Sequence, residues 1–318
     1  MKITVFGCGR WGSFIAWYLS GRHFSVTLYG RENSPRFAEL CKTRKNEYIS
    51  LGDDVRLISD LSEATKSDVF VVSIKSGNLR DLLRTLRPYG LREKIVVLCM
   101  KGLEEDTGKR LSVIAEEEGA DKDKIAVWVG PGHIQAFAKG LPNCMLIDSA
   151  NRALTKTLAD AWRSDLIRFY YGDDIIGSEV GAAAKNVFGI AAGMLDGGGY
   201  STLKGPLMAR GAREISRLIK AMGGNELSAY GLCHLGDYET TLFSEFSNNR
   251  AFGMAYVRKE NFAKLAEGVF TAKGLKKLGE QYGEELPITN AVYSILYENK
   301  DPMEVFLKLF SRSTRAEF

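Results

Sequence analysis

Gly7-Cys8-Gly9-Arg10-Trp11-Gly12 directly follows the apolar run Lys2–Phe6 (KITVF) and directly precedes an amphipathic stretch. That placement constrains the fold more than any composition figure. A strand that ends in Gly-x-Gly-x-x-Gly and reopens as a helix is the first turn of a βαβ unit. The first glycine permits the tight turn, the second lets a pyrophosphate approach the backbone, and the third lets helix and strand pack closely. The start of the helix adds N–H groups with no partner in the helix and the positive end of its dipole. The chain is therefore expected to open with a dinucleotide-binding domain.

The pattern that follows supports this. Ser25–Tyr29, Val55–Ile58, Asp68–Ile74, Lys94–Met100 and Ile125–Val129 are short and rich in Val and Ile, as buried parallel strands are. Helical periodicity falls between them, at Trp11–Ser20, Arg36–Lys42, Leu79–Leu86 and Gly108–Glu118. Cys144–Asp148 and Ile167–Tyr171 extend the sheet. Past Asp173 the texture changes. Val180–Met194, Lys204–Met222, Glu226–Leu232, Phe262–Ala266, Thr271–Tyr282, Pro287–Glu298 and Pro302–Ser311 carry helical periodicity. The expected fold class is α/β: an N-terminal Rossmann-like, doubly wound, mostly parallel sheet over 1–175, followed by an all-helical domain over 176–318.

Composition narrows the function classes. The 43 Lys and Arg against 39 Asp and Glu are mixed along the chain, with no basic run that argues for nucleic acid. The five cysteines are far apart and odd in number, which suggests reduced thiols in a cytoplasmic protein. Three histidines and scattered cysteines make no metal site. Residues 1–7 already read as a strand rather than a signal peptide. No apolar stretch reaches the ~18 residues of a membrane span.

Cofactor choice is read at the end of the second strand. An NAD-selective site places Asp or Glu there, on the ribose 2′-OH. Here the strand ends Tyr29-Gly30-Arg31-Glu32, with Gly30 at the place of the acid. Arg31 either forks onto a 2′-phosphate or stacks on adenine whichever dinucleotide binds, so NADP or NAD stays open.

Three further segments carry candidate chemistry. Met100-Lys101-Gly102 ends a strand, and strand carboxyl ends face the ligand crevice of open α/β sheets. Lys101 there either meets an anionic substrate or is a loop lysine in water. GAAAKNVFGIAAGM (181–194) is a small-residue helix with Lys185 and an Asn in its middle. Lys185 must reach out to water or sit desolvated, and a desolvated lysine suits proton transfer with an alcohol. In LGDYETT, Asp237 and Thr241 would share one face of a helix. The following Ser247-Asn248-Asn249-Arg250 reads either as a phosphate- or hydroxyl-binding loop or as an ordinary polar turn.

These segments, in this order, resemble NAD(P)-dependent glycerol-3-phosphate dehydrogenase of the bacterial type, over nearly the whole chain. GCGRWG resembles that family's glycine motif with its aromatic fifth position. CMKGLEEDTGKRL resembles its Lys-Gly segment, and Gly130-Pro131 with Gly140-Leu141-Pro142 its Gly-Pro loop. GSEVGAAAKNVFGIAAGMLDG resembles the catalytic-lysine helix and KGPLMARGAREISRL the helix after it. GLCHLGDYETT and NNRAFG resemble the aspartate motif and the loop that follows. Ala266–Thr271 (AEGVFT) resembles the late Glu-Gly motif. The resemblance implies reversible hydride transfer between NAD(P)H and dihydroxyacetone phosphate or sn-glycerol 3-phosphate, supplying the glycerophospholipid backbone. It implies that Lys185 gives or takes the proton, that Lys101 binds and polarises the substrate, and that Asp237 and Thr241 orient Lys185 and the substrate hydroxyls. Gly7, Gly9, Arg10, Trp11, Gly12, Arg31, Glu32, Lys101 and Glu267 fall at cofactor positions. Gly130, Ser247, Asn248, Asn249 and Arg250 fall at substrate positions. The implied partners are a small phosphorylated substrate and a second copy in a homodimer, with neither nucleic acid nor stable membrane insertion.

The departures are as specific as the matches. The Gly-Pro loop continues Gly132-His133, where the family usually has Ser or Thr and then an aromatic residue. The substrate loop reads Ser247-Asn248-Asn249 against the usual Ser-Arg-Asn, so Asn248 stands where an arginine meets phosphate. Lys75 stands where the fourth strand usually leads into a proline, and the Asn expected after Gly198-Gly199 is not in its place. Losing a charged fork on a phosphate costs about 1.5–3 kcal/mol, roughly tenfold to a hundredfold in affinity. Either another cation (Arg250, Lys204 or Lys75) replaces it, or the substrate is another hydroxy acid or polyol phosphate, or the chain is a dinucleotide-binding regulatory protein without turnover.

Overall fold

Eight strands form one sheet in the order β3-β2-β1-β4-β5-β6-β7-β8. In the computed structural model they are β1 Lys2–Phe6, β2 Ser25–Tyr29, β3 Arg56–Ile58, β4 Val69–Val72, β5 Ile95–Leu98, β6 Ile125–Val129, β7 Asn143–Asp148 and β8 Ile167–Tyr171. The structure describes residues 1–311, 313, 316 and 317. All neighbouring strands run parallel except β6 and β7, where Val127 faces Asp148 in antiparallel register. Six parallel strands in the order 3-2-1-4-5-6 are those of a dinucleotide-binding fold. The two late apolar runs extend the sheet as expected.

The chain divides into two compact units, Met1–Lys101 with Arg110–Glu179, and Gly102–Lys109 with Val180–Phe318. The first holds the sheet and helices α1 Arg10–Gly21, α2 Pro35–Thr43, α3 Leu61–Ala64, α4 Leu79–Leu86, α5 Leu111–Glu117, α6 Ile134–Phe137 and α7 Arg152–Trp162. β4 is buried at all four residues and β6 at all five, which is why their sequences are apolar throughout rather than alternating. Trp128 on β6 anchors the core. Its ring meets Trp162 at 5.5 Å and the edge of Phe169 at 5.0 Å, and its Nε1 donates to the Met145 sulfur.

The second unit is helical: α8 Ile175–Gly197 (whose first turn lies in the other unit), α9 Lys204–Ala221, α10 Asn248–Arg258, α11 Glu267–Tyr282, α12 Pro287–Tyr297 and α13 Pro302–Phe310. Residues 180–195 of α8 are all buried. A helix apolar or small on every side is one enclosed on every side.

Several expected boundaries are corrected. Phe262–Ala266 is not a helix. Lys259 in the left-handed region ends α10 and Ala266 is extended, so the segment is bounded on both sides by non-helical backbone. Glu226–Leu232 is a 3₁₀ turn over Glu226–Tyr230, started by the Asn225 side chain accepting from Leu227 N. The helix expected over Gly108–Glu118 begins only at Leu111, because Gly108 has φ +72° and Arg110 is extended. α7 was not anticipated, although Asn151 caps it by accepting from Ala153 N and Leu154 N.

Two buried carboxyls set a pH dependence of stability. Burial pushes Asp148 up to about 6, although it accepts from Ser178 Oγ and from the amides of Ser149 and Asp174. Burial likewise pushes Glu214 on α9 up to about 7, despite bonds from Ile288 N, Thr289 N and Thr289 Oγ1 at the start of α12. Both values lie above those of the unfolded chain, so the protonated forms favour folding. The Glu214 contribution is complete below its ordinary 4.5 and is lost as pH rises to about 7. Thermal melts should therefore show stability falling over that window, and Glu214→Gln should flatten the slope. An unchanged slope would mean that Glu214 is ionised throughout.

Candidate active site

The glycine turn has the geometry its sequence requires. Gly7 has φ +117°, and a Cβ on it would stand 2.2 Å from the Ser73 carbonyl oxygen. A Cβ on Gly12 would stand 1.9 Å from the Gly7 oxygen, whereas one on Gly9 would meet nothing within 4 Å. The outer glycines are thus needed by the protein's own packing, and the middle one faces open space. Gly9 starts α1 with no side-chain cap. Open space over an uncapped helix start fits a pyrophosphate. Arg10 is exposed in the first turn, and Trp11 stacks on Phe14 at 5.0 Å. Arg31 and Glu32 are exposed just past β2. A Cβ on Gly30 would lie 2.1 Å from the Phe37 ring, so packing itself excludes the acid that selects NAD.

Lys101 and Gly130 meet at the carboxyl ends of β5 and β6. The Lys101 Nζ donates to the Gly130 carbonyl at 2.6 Å, and Gly130 has φ +116°. A half-buried ammonium is thereby held at the strand ends, where open α/β sheets bind ligands.

The second unit brings together the other polar candidates. Lys185 is 7% exposed in the middle of α8. Its Nζ lies 2.9 Å from Asp237 Oδ2 and donates to Thr241 Oγ1 at 2.7 Å. Asp237 is fully buried and also accepts from the Thr240 hydroxyl. An ammonium this buried needs a counter-charge, and Asp237 supplies it. The Asp237 segment is not one α-helix: a 3₁₀ turn over Leu235–Asp237 passes into a π turn over Glu239–Phe243. The shared face expected from i,i+4 spacing is nevertheless realised, since both side chains meet Lys185. α8 receives this segment through its glycines. A Cβ on Gly189 would stand 2.8 Å from Thr241 Cγ2, one turn after Lys185.

The supposed loop Ser247–Arg250 is the start of α10, with the Ser247 hydroxyl accepting from Arg250 N. The Asn249 amide donates to Asn186 Oδ1 at 3.0 Å, and its carbonyl accepts from Gly268 N. Asn186 was not among the expected site residues. Its signal was present: it is the second polar residue in an apolar helix, beside Lys185. Glu267 is the first residue of α11, next to Gly268.

Residues 2–155 match the family model for the NAD-dependent glycerol-3-phosphate dehydrogenase N-terminus, and residues 174–307 match the model for its C-terminus. The chain belongs to that family. It is 34% identical to glycerol-3-phosphate dehydrogenase [NAD(P)+] of Chlorobium phaeobacteroides, over 100% of this chain and 99% of that one. The Moorella thermoacetica enzyme of the same name is also 34% identical, over 98% and 96%. The crystal structure of glycerol-3-phosphate dehydrogenase from Coxiella burnetii superposes with a TM-score of 0.89 at 26% identity, covering 98% of this chain and 99% of that one.

Against this family the departures acquire physical causes. A Cβ on Gly132 would lie 2.8 Å from the Trp11 ring and within 3.3 Å of Met145 and Phe137, so the indole occupies the space that Ser or Thr would take. Arg250 and Lys204 are not beside Lys185. Both are held by Asp196, Arg250 Nε at 2.6 Å and Lys204 Nζ at 2.9 Å. Asp196 lies eleven residues after Lys185 on α8, about 16 Å along its axis. Asn248 donates to the Leu265 carbonyl.

Proposed function

We propose that the chain interconverts dihydroxyacetone phosphate and sn-glycerol 3-phosphate with NADP or NAD, and so supplies the backbone of glycerophospholipids. The buried Lys185–Asp237–Thr241 constellation carries this reading. The bound dinucleotide supplies or accepts the hydride. In reduction the carbonyl oxygen of the substrate becomes an alkoxide and needs a proton. Lys185 is the donor: its ammonium is aimed by Asp237 and Thr241, and little water reaches it. In the reverse direction the neutral amine takes the hydroxyl proton. Lys101, held by Gly130, places positive charge where the oxygen becomes negative. The Gly7–Gly12 turn, with Arg10, Trp11, Arg31, Glu32 and Glu267, holds the dinucleotide. Gly130, Ser247, Asn248 and Asn249 complete the substrate positions, whereas Arg250 is engaged by Asp196.

The deciding assay mixes purified protein with dihydroxyacetone phosphate and NADPH or NADH and follows loss of the reduced cofactor. Oxidation with at least one is expected. None with either, from folded protein that binds dinucleotide, overturns the reading. Cofactor choice has its own probe. If Arg31 grips the 2′-phosphate, Arg31→Ala should raise KM for NADPH about tenfold and leave KM for NADH unchanged. Equal effects on both would show that Arg31 stacks on adenine.

The reading includes a cytoplasmic location, supported by cysteines that form no disulfide among the described residues. No helix among them is long and apolar enough to cross a membrane. A homodimer is proposed on the resemblance alone, and light scattering should give twice the chain mass.

A further inference from the structure

Two buried polar side chains beside the Lys185 constellation take no part in the chemistry above. His234 and Tyr238 are both fully buried. The His234 Nδ1 lies 2.8 Å from the Gly181 carbonyl oxygen, and the Tyr238 hydroxyl lies 2.7 Å from His234 Nε2. A carbonyl only accepts, so Nδ1 carries the proton and donates to Gly181. Nε2 then holds a lone pair, and the Tyr238 hydroxyl donates to it. Burial pushes the imidazole down to about 4, although the backbone carbonyls of Gly181 and Gly211 favour its charged form. The ring is therefore neutral near pH 7. Burial and then Glu214 push the Tyr238 hydroxyl up, so it keeps its proton. The result is a two-bond chain with one direction, ending on α8.

Its placement suggests its purpose. Gly181 lies one turn before Lys185 on α8, and Asp237 lies between His234 and Tyr238 in sequence. Two ties thus join the same pair of segments one turn apart: Tyr238–His234–Gly181, and Asp237–Lys185. The approach is close because Gly181 has no side chain. A Cβ there would stand 3.0 Å from both His234 Cβ and Cys233 Sγ. Apolar packing would hold the segments together but would not fix the rotation of the 3₁₀ turn that aims the Asp237 carboxylate. Directional hydrogen bonds in a dry interior do fix it.

We propose that His234 and Tyr238 are positioning residues that hold the Asp237 carboxylate in line with Lys185 Nζ. The proposal rests on the reading of Lys185 as the proton carrier. Tyr238→Phe keeps the ring and removes the bond to His234. It is expected to lower kcat about tenfold, the loss of one buried hydrogen bond's worth of order, with KM for dihydroxyacetone phosphate and dinucleotide binding unchanged. In an Asp237→Asn background the same change should lower kcat no further, because the group it positions is already gone. His234→Asn keeps a donor toward Gly181 and should retain more activity than His234→Ala. Wild-type kcat in Tyr238→Phe, or equal losses in both backgrounds, would overturn the proposal and leave the pair a purely structural one. If Tyr238→Phe does not fold, the two His234 variants carried through the same cycle decide by the same criterion. Lys185→Ala separates the two ideas. If it keeps kcat, the Lys185 reading falls and this proposal with it. If it is inactive while Tyr238→Phe runs at the wild-type rate, only the positioning role is lost.

Discussion

Lys185→Ala is expected to lower kcat by about 10²–10⁴-fold, the usual contribution of a positioned proton donor. KM for the dinucleotide should not change, since Lys185 is not among the residues proposed to hold it. A second consequence follows from burial. Asp237 is fully buried, and without the Lys185 ammonium it is a carboxylate that has lost its counter-charge. Breaking such a pair from one side costs about 3–5 kcal/mol. The inactive variant should therefore also melt earlier, which by itself would confuse loss of chemistry with loss of fold. Lys185→Met combined with Asp237→Leu removes both charges and should recover much of the lost stability while staying inactive. A double variant that regained activity along with stability would show that Lys185 is a structural ion and that the proton comes from elsewhere.

How far the sequence could be read depended on the range of the interactions. Local signals were reliable. The glycine turn, the apolar strands and the length of α9 follow from neighbours in sequence, and the structure places them within a residue or two of expectation. The failures are long-range or belong to short elements. Phe262–Ala266 has helical periodicity but is bounded by a left-handed Lys259 and an extended Ala266, which periodicity does not reveal. Gly30 and Gly132 looked like lost functional residues. They are small because Phe37 and Trp11 fill the space, and no motif announces such a partner. The Lys185–Asp237 pair spans 52 positions, and spacing alone gave no reason to join them; the resemblance did. His234 and Tyr238 are four apart, yet only their shared burial shows that they bond to each other rather than to water. Arg250 was a natural replacement for a missing arginine by proximity in sequence. Its commitment to Asp196 is visible only in three dimensions.

That commitment sharpens the last expectation. With C2 of a three-carbon substrate at Lys185 Nζ, the phosphate lies only a few ångströms away. Cations tied to Asp196 are about three helical turns along α8, too far to serve it. Asn186, which follows Lys185 on α8, is neutral and is bonded to Asn249 in the first turn of α10, which Asn248 begins. On the proposed function, phosphate recognition rests on these amide donors rather than on an arginine fork. Asn248→Arg should restore the fork and lower KM for dihydroxyacetone phosphate about tenfold to a hundredfold, with kcat little changed, because the added contact is the same in ground state and transition state. The side chain has room to act, since Asn248 is only half-buried and its amide is held by a 3.2 Å bond to the Leu265 carbonyl. The same substitution should leave KM for an unphosphorylated hydroxyketone unaltered. If KM for the phosphorylated ketone does not move, the first turn of α10 does not face the phosphate, and the substrate anion is recognised by another part of the chain.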